Sequence, residues 1–162
     1  MLLSEYNRGS TPVIATSLMP DAGRHLIRES DLIAGECFCG TVQYQIDGEL
    51  TFARCCHCSR CRKAFSGASS AYAELADPES FSWVSGADNL QEYSAQADWG
   101  LTFCKTCGTT LCGIYQGRVH GVALGTVIGD PGVEIEAHYF VGSKAPWDHI
   151  GGSAPQFDTR EK

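Results

Sequence analysis

Hydrophobic and polar residues alternate in short runs along most of this chain, a pattern typical of half-buried β-strands. In 41–47, for example, Val42, Tyr44 and Ile46 lie on one face of a predicted strand and polar residues lie on the other. Gly48-Glu49 then provides a turn before the next run begins. We predict about eight or nine short strands in this way, at 41–47, 50–54, 69–75, 81–85, 90–94, 101–103, 109–115, 118–128 and 134–141.

These runs predict a mainly β fold with one short helical turn at 58–65. Trp83 and Tyr93 stand on the predicted strands as candidates for packing in the core. The length of 162 residues suits one domain, and the first residues have no steady hydrophobic period. The predicted division is an N-terminal extension or arm at 1–30, a domain at 31–157 and a tail at 158–162.

The net charge of the chain and the length of its apolar runs narrow the range of possible functions. The net charge of −7 argues against a nucleic-acid partner, because binding to phosphate backbones is supplied mainly by Lys and Arg. No span approaches the roughly 18 apolar residues of a membrane helix, and the N-terminus lacks the pattern of a secretory signal. We therefore expect a cytoplasmic protein, in which clustered cysteines are more often metal ligands or catalytic groups than disulfides.

The nine cysteines are the most informative residues, since all but Cys112 fall into three clusters. A structural zinc site takes four ligands, commonly two from each of two tight knuckles, whereas a catalytic zinc keeps three protein ligands and one open position. The eight clustered cysteines are more than the four ligands that one tetrahedral metal site takes, so two metal sites are the simplest interpretation. The clusters are Cys37 and Cys39, then Cys55, Cys56, Cys58 and Cys61, then Cys104 and Cys107.

Spacing leaves two partitions of these cysteines open. One joins Cys58 and Cys61 to Cys104 and Cys107 as a closed four-cysteine site. The other closes a structural site from the two pairs that are each followed by glycine, and leaves a local three-thiolate site with an open position. In this second partition the structural ligands are Cys37, Cys39, Cys104 and Cys107, and the open site is formed by Cys56, Cys58 and Cys61.

Four segments with these cysteines at their centre resemble the glutathione-dependent formaldehyde-activating enzyme family, also called the CENP-V/GFA domain. The resemblance covers about 32–157 and implies a β-tent fold of several small coiled antiparallel sheets around a four-cysteine zinc site. It also implies two zinc ions per chain, placed on the ligands of the second partition. The matching segments are Gly35–Tyr44, Cys56–Lys63, Phe103–Leu111 and His138–Trp147.

The family resemblance further implies a carbon-sulfur lyase that joins formaldehyde and glutathione reversibly as S-hydroxymethylglutathione. A hypothesis consistent with it is that the glutathione thiol completes the second zinc site, where its pKa falls, and then attacks the aldehyde. Arg60, Arg62 and Lys63 are candidate contacts for the glutathione carboxylates. His57 is expected to lie outside the metal ligands, and another small thiol or aldehyde would fit the same residues.

Two alternatives follow from the same cysteines. If Cys55 completes the second site, both metals are structural, and the protein is a non-enzymatic β-tent zinc-binding module for a peptide or protein partner. If Cys55 or Cys112 acts as a nucleophile, the protein is a thiol-redox enzyme. Cys112 stands next to Leu111 in a predicted strand, which instead favours a buried apolar role.

Overall fold

The structure, a computed structural model, describes residues 32–96 and 98–160 and folds them mainly as β-strands. A short helix, α1 (Ser59–Ala64), and brief 3₁₀ turns connect some of the strands. The 3₁₀ turns are Pro78–Ser80, Ala87–Asn89, Leu124–Thr126 and Val141–Ser143. In chain order the strands are β1 (Ile33–Glu36), β2 (Gln43–Ile46), β3 (Leu50–Cys56), β4 (Ser70–Leu75), β5 (Phe81–Ser85), β6 (Leu90–Gln96), β7 (Trp99–Cys104), β8 (Thr110–Tyr115), β9 (Arg118–Ala123), β10 (Ala137–Tyr139) and β11 (Gln156–Phe157).

The strands form a three-stranded sheet and an eight-stranded sheet. The small sheet has the order β1-β2-β5, and the large one the order β11-β10-β3-β4-β9-β8-β7-β6. The pairs are antiparallel except that β10 runs parallel to both β3 and β11. Because β10 lies beside β3, the segment after residue 137 is held against the strand that ends at Cys56.

The predicted mainly β class is confirmed, while several boundaries differ from the prediction. β1 and β11 were not predicted. The run at 118–128 ends as a strand at Ala123, because the chain then enters the 3₁₀ turn Leu124–Thr126. Of the run at 134–141 only Ala137–Tyr139 pairs as a strand. The predicted arm at 1–30 lies outside the described residues.

Tyr44 anchors the small sheet in the core. Its side chain is only 1% exposed, and its ring stacks on Phe81 and meets Trp83 edge-on. Its hydroxyl is hydrogen-bonded to the hydroxyl of Thr126 at 2.8 Å. Trp83 is half-buried against this cluster, as predicted. Tyr93 was wrongly assigned to the core: it is 59% exposed, because β6 is the outer strand of the large sheet.

Gly35→Ala is expected to destabilise the fold through this packing. A Cβ on Gly35 would lie 2.1 Å from the Cζ atom of the Tyr44 ring. The ring cannot easily move away, because Tyr44 is buried in the core. Overpacking of this kind costs about 1–3 kcal/mol in the free energy of unfolding. Urea denaturation measures it, with Gly125→Ala as control, because a Cβ there meets nothing within 4 Å. Equal stability of the two variants would contradict this account of the core.

Candidate metal centre

Four cysteine sulfurs meet where two knuckles approach each other. In the first knuckle the amide of Gly40 donates to the carbonyl of Cys37 at 2.9 Å, and in the second Gly108 donates to Cys104 at 2.9 Å. Both glycines adopt left-handed φ angles, of 72° and 73°, which a glycine reaches without a steric penalty. The turns bring four Sγ atoms within 4.8 Å of one another, those of Cys37, Cys39, Cys104 and Cys107.

The spacing of these sulfurs suits a tetrahedral ion. Four thiolates at about 2.3 Å from a zinc ion would stand about 3.8 Å apart. The Sγ atom of Cys39 lies 3.5 Å from that of Cys37 and 3.8 Å from that of Cys104. The Val42 amide points at the Cys37 sulfur at 3.3 Å, and the Asn89 side-chain amide at the Cys104 sulfur at 3.2 Å. Such N–H donors stabilise thiolate ligands, so the donor set fits a zinc ion.

A second group of sulfurs forms where β3 passes into α1. Cys56 ends β3, Cys58 is the N-cap of α1 and Cys61 lies in its first turns. The Cys61 amide donates to the Cys58 sulfur at 3.4 Å, as in an N-terminal cap. All three side chains are half-buried, and their Sγ atoms lie within 4.8 Å of one another. Within the described chain, no fourth Cys, His, Asp or Glu joins this three-cysteine site.

The thiols of the three-cysteine site differ in acidity. A hydrogen bond from Cys56 lowers the pKa of Cys61 to about 6, although burial alone would raise it. Smaller contributions in the same direction come from hydrogen bonds with Cys58 and Ser70 and from the charge of Arg60. The same contact with Cys61, together with burial, raises the pKa of Cys56. One sulfur is therefore ready as a thiolate near neutral pH, the form that binds a metal.

The structure thus brings together the two ligand sets of the second partition, and it separates Cys58 and Cys61 from the other knuckles. Cys55 is paired with Ala71 in the sheet whereas Cys56 is paired with Ser70, so their side chains point to opposite faces. Cys55 is accordingly not among the clustered sulfurs. Cys112 is buried in the core, and burial raises the pKa of its thiol, which disfavours a role as nucleophile.

The basic residues near this site have different surroundings. Arg60 and Lys63 are exposed on α1. The Nη1 atom of Arg62 donates to the carbonyl of His57 at 2.9 Å and also to the carbonyl of Ser143. Arg62 therefore ties α1 to the segment after β10, and its guanidinium is already engaged. A contact with substrate carboxylates stays a prediction for all three residues.

Sequence reasoning missed a buried polar group beside the three-cysteine site. His57 is 3% exposed, and its Nε2 atom lies 3.0 Å from Nδ1 of the buried His138. Its Nδ1 atom lies 3.4 Å from Oδ2 of Asp148. Burial and the neighbouring His138 lower the pKa of His57. His138 stands in a segment that the sequence had already singled out, but the pairing of β10 with β3 is what brings it to His57.

Across the described ranges, no helix has both the length and the apolar character needed to cross a membrane.

Comparison with known proteins shows which family this chain resembles. The family model described as glutathione-dependent formaldehyde-activating enzyme matches residues 32–143. An uncharacterized lyase of Schizosaccharomyces pombe is 32% identical over 77 residues, which are 48% of this chain and 53% of that protein. The chain thus spans about half the length of that relative. A crystal structure of a Rhodobacter sphaeroides protein is similar with a TM-score of 0.49 and 28% identity, over 76% of this chain and 98% of that one.

Proposed function

Because the chain belongs to the glutathione-dependent formaldehyde-activating enzyme family, we propose that it is a zinc-dependent carbon-sulfur lyase. Its reaction is the joining of glutathione and formaldehyde as S-hydroxymethylglutathione, or the same chemistry on a related thiol and aldehyde. The observation that carries the proposal is the three-cysteine site, a set of clustered sulfurs without a fourth protein ligand in the described chain. The name lyase given to the yeast relative supports the same class.

Two zinc ions per chain are part of this proposal. Cys56, Cys58 and Cys61 would hold the catalytic ion, and the four-cysteine cluster would hold the structural one. Zinc supplies a positive charge that lowers the pKa of a thiol and so keeps it as a thiolate at neutral pH. The three cysteines are half-buried rather than fully buried, and we expect a small thiol to reach them from solvent.

The chemical step depends more on the alignment of the thiol and the aldehyde than on a general acid or base. The thiol releases its proton to solvent, and the thiolate sulfur attacks the carbonyl carbon. A C–S bond forms, the electron pair of the C=O π bond moves to oxygen, and that oxygen takes a proton from water. The chain contributes by holding the reactants together, an effect that alone accounts for large rate gains.

Charge near the site suits an anionic thiol. Arg60 already acts on Cys61 by its positive charge, and Lys63 is exposed on the same short helix. We propose that these two residues attract the carboxylates of glutathione. Arg62 is the third candidate for this contact, although the Nη1 atom of its guanidinium is already bonded to two backbone carbonyls.

Exchange NMR on the zinc-loaded protein tests the proposal. Carbon-13 formaldehyde is mixed with glutathione at mildly acidic pH, where the spontaneous reaction is slow because little thiolate is present. We expect the exchange between free aldehyde and adduct to become at least about 100-fold faster. Parallel samples with cysteine or with acetaldehyde define the substrate class. No acceleration for any pair, with both metal sites filled, would overturn the proposal.

A further inference from the structure

Between Cys56 and Cys58 in the sequence, His57 belongs to a row of three polar side chains, of which His57 and His138 are buried and Asp148 is half-buried. The row leads from Asp148 to His57 and from His57 to His138, over the distances of 3.4 and 3.0 Å given above. The Nδ1 atom of His57 is fully buried and has no hydrogen-bond partner within the part of the chain that the structure describes. The proposed chemistry does not use any of these three groups directly.

The order of donors in this row follows from the chemistry of the groups. A neutral imidazole has one N–H donor and one acceptor nitrogen, and a carboxylate only accepts. The proton of His57 therefore belongs on Nδ1, which faces the Asp148 carboxylate. Its Nε2 atom is then an acceptor, so the proton of His138 belongs on the Nδ1 atom that faces it. The Asp148 carboxylate, 3.4 Å from Nδ1, favours this tautomer of His57 by its charge. The hydrogen bond at 3.0 Å between the two rings then fixes the tautomer of His138.

The backbone of His57 is held as firmly as its ring. Its amide donates to the carbonyl of Tyr139 at 2.9 Å, and its carbonyl accepts from Arg62 at 2.9 Å. His57 stands between Cys56 and Cys58, two of the three clustered cysteines. Hydrogen bonds at the amide, the carbonyl and Nε2, together with the Asp148 carboxylate 3.4 Å from Nδ1, thus restrict the one residue that links these two cysteines.

We propose that Asp148 and His138 are positioning residues for the three-cysteine site. They fix the ring of His57, and through His57 they fix the separation of the Cys56 and Cys58 sulfurs that receive a thiophilic divalent metal. The inference rests on the proposed function in one respect, since it takes this site to be the working metal site. Outer-shell contacts of this kind commonly change metal affinity about 10- to 100-fold.

A cobalt titration of the full-length chain tests the inference. The tighter four-cysteine site is first filled with one equivalent of zinc, and cobalt(II) is then added to the weaker site. For Asp148→Asn we expect the cobalt affinity to fall about tenfold or more, with altered sulfur-to-cobalt absorption bands. The asparagine amide can present its NH₂ group to His57, which removes the preference for a proton on Nδ1. His149→Gln is the matched control, because His149 is the exposed neighbour of Asp148.

Two further measurements separate positioning from a general loss of structure. Nitrogen-15 NMR of the unmodified protein should show both His57 and His138 protonated at Nδ1, and the pattern for His57 should change in Asp148→Asn. A residue that only supports the fold would lower the melting temperature and disturb both metal sites together. His138→Gln provides a second variant, and its side-chain amide should restore part of the cobalt affinity that His138→Leu loses.

The outcomes distinguish this inference from the proposed function. Unchanged cobalt affinity and absorption in Asp148→Asn and His138→Leu would overturn the inference, whether or not the protein is a lyase. A proton on Nε2 of His57 in the unmodified protein would overturn it as well. If cobalt binding weakens as expected while the unmodified protein shows no thiol–aldehyde exchange, the positioning role stands and the proposed function fails.

Discussion

Cys104→Ser is expected to remove the structural metal and unfold the domain. Cys104 ends β7, has no exposed surface and belongs to both the core and the four-cysteine cluster. Structural zinc sites contribute an apparent free energy of about 10–16 kcal/mol, whereas a domain is stable by about 5–15 kcal/mol. Loss of the ion therefore removes an amount comparable to the whole stability. Circular dichroism and metal analysis measure the two effects.

The control for this experiment is a cysteine that is equally buried but not clustered. Cys112 is 1% exposed and is paired with Thr102 across β7 and β8. Cys112→Ala should cost about 1–2 kcal/mol for the small cavity it leaves, with both metals retained. If Cys104→Ser were as stable as Cys112→Ala and kept the same metal content, the four-cysteine cluster would not be a structural metal site.

The sequence predicted those parts of the fold whose signals are local. The alternation of Val42, Tyr44 and Ile46 identified both β2 and its buried face, because a period of two depends only on neighbouring residues. β1 and β11 escaped prediction because short strands are defined by their partners. Gln156–Phe157 is a strand only through its pairing with β10. Tyr93 likewise became exposed through the position of β6 in the sheet order.

The same distinction applies to the candidate site. Clustered cysteines are a local signal. The structure gathers them into the two groups of the second partition, which spacing alone had left as one of two alternatives. The contact between His57 and His138 joins residues 81 positions apart and depends on the parallel pairing of β10 with β3. No local pattern predicts such a pairing. Sequence reasoning therefore identified the cysteines that cluster, but not the polar groups that surround His57.

Cys61→Ser is expected to abolish the proposed lyase activity while the fold is retained. Cys61 lies on the short helix α1, is half-buried and belongs to no part of the core cluster. Serine has a much weaker affinity for zinc than a thiolate, so two cysteines would remain at a site that needs three. We expect the rate of thiol–aldehyde exchange to fall about 100-fold or to the uncatalysed rate. The zinc content should drop from two ions to one.

Cys55→Ser is the matched control and separates the lyase from the thiol-redox alternative. Cys55 is adjacent to Cys56 but points to the other face of β3, and it lies outside the clustered sulfurs. Under the lyase proposal its loss leaves both metals and the exchange rate unchanged. Under a redox mechanism that uses Cys55 as nucleophile, activity is lost while both metals stay. A Cys61→Ser protein with full exchange activity would contradict the lyase proposal directly, because the three-cysteine site could not then be where the thiol is activated.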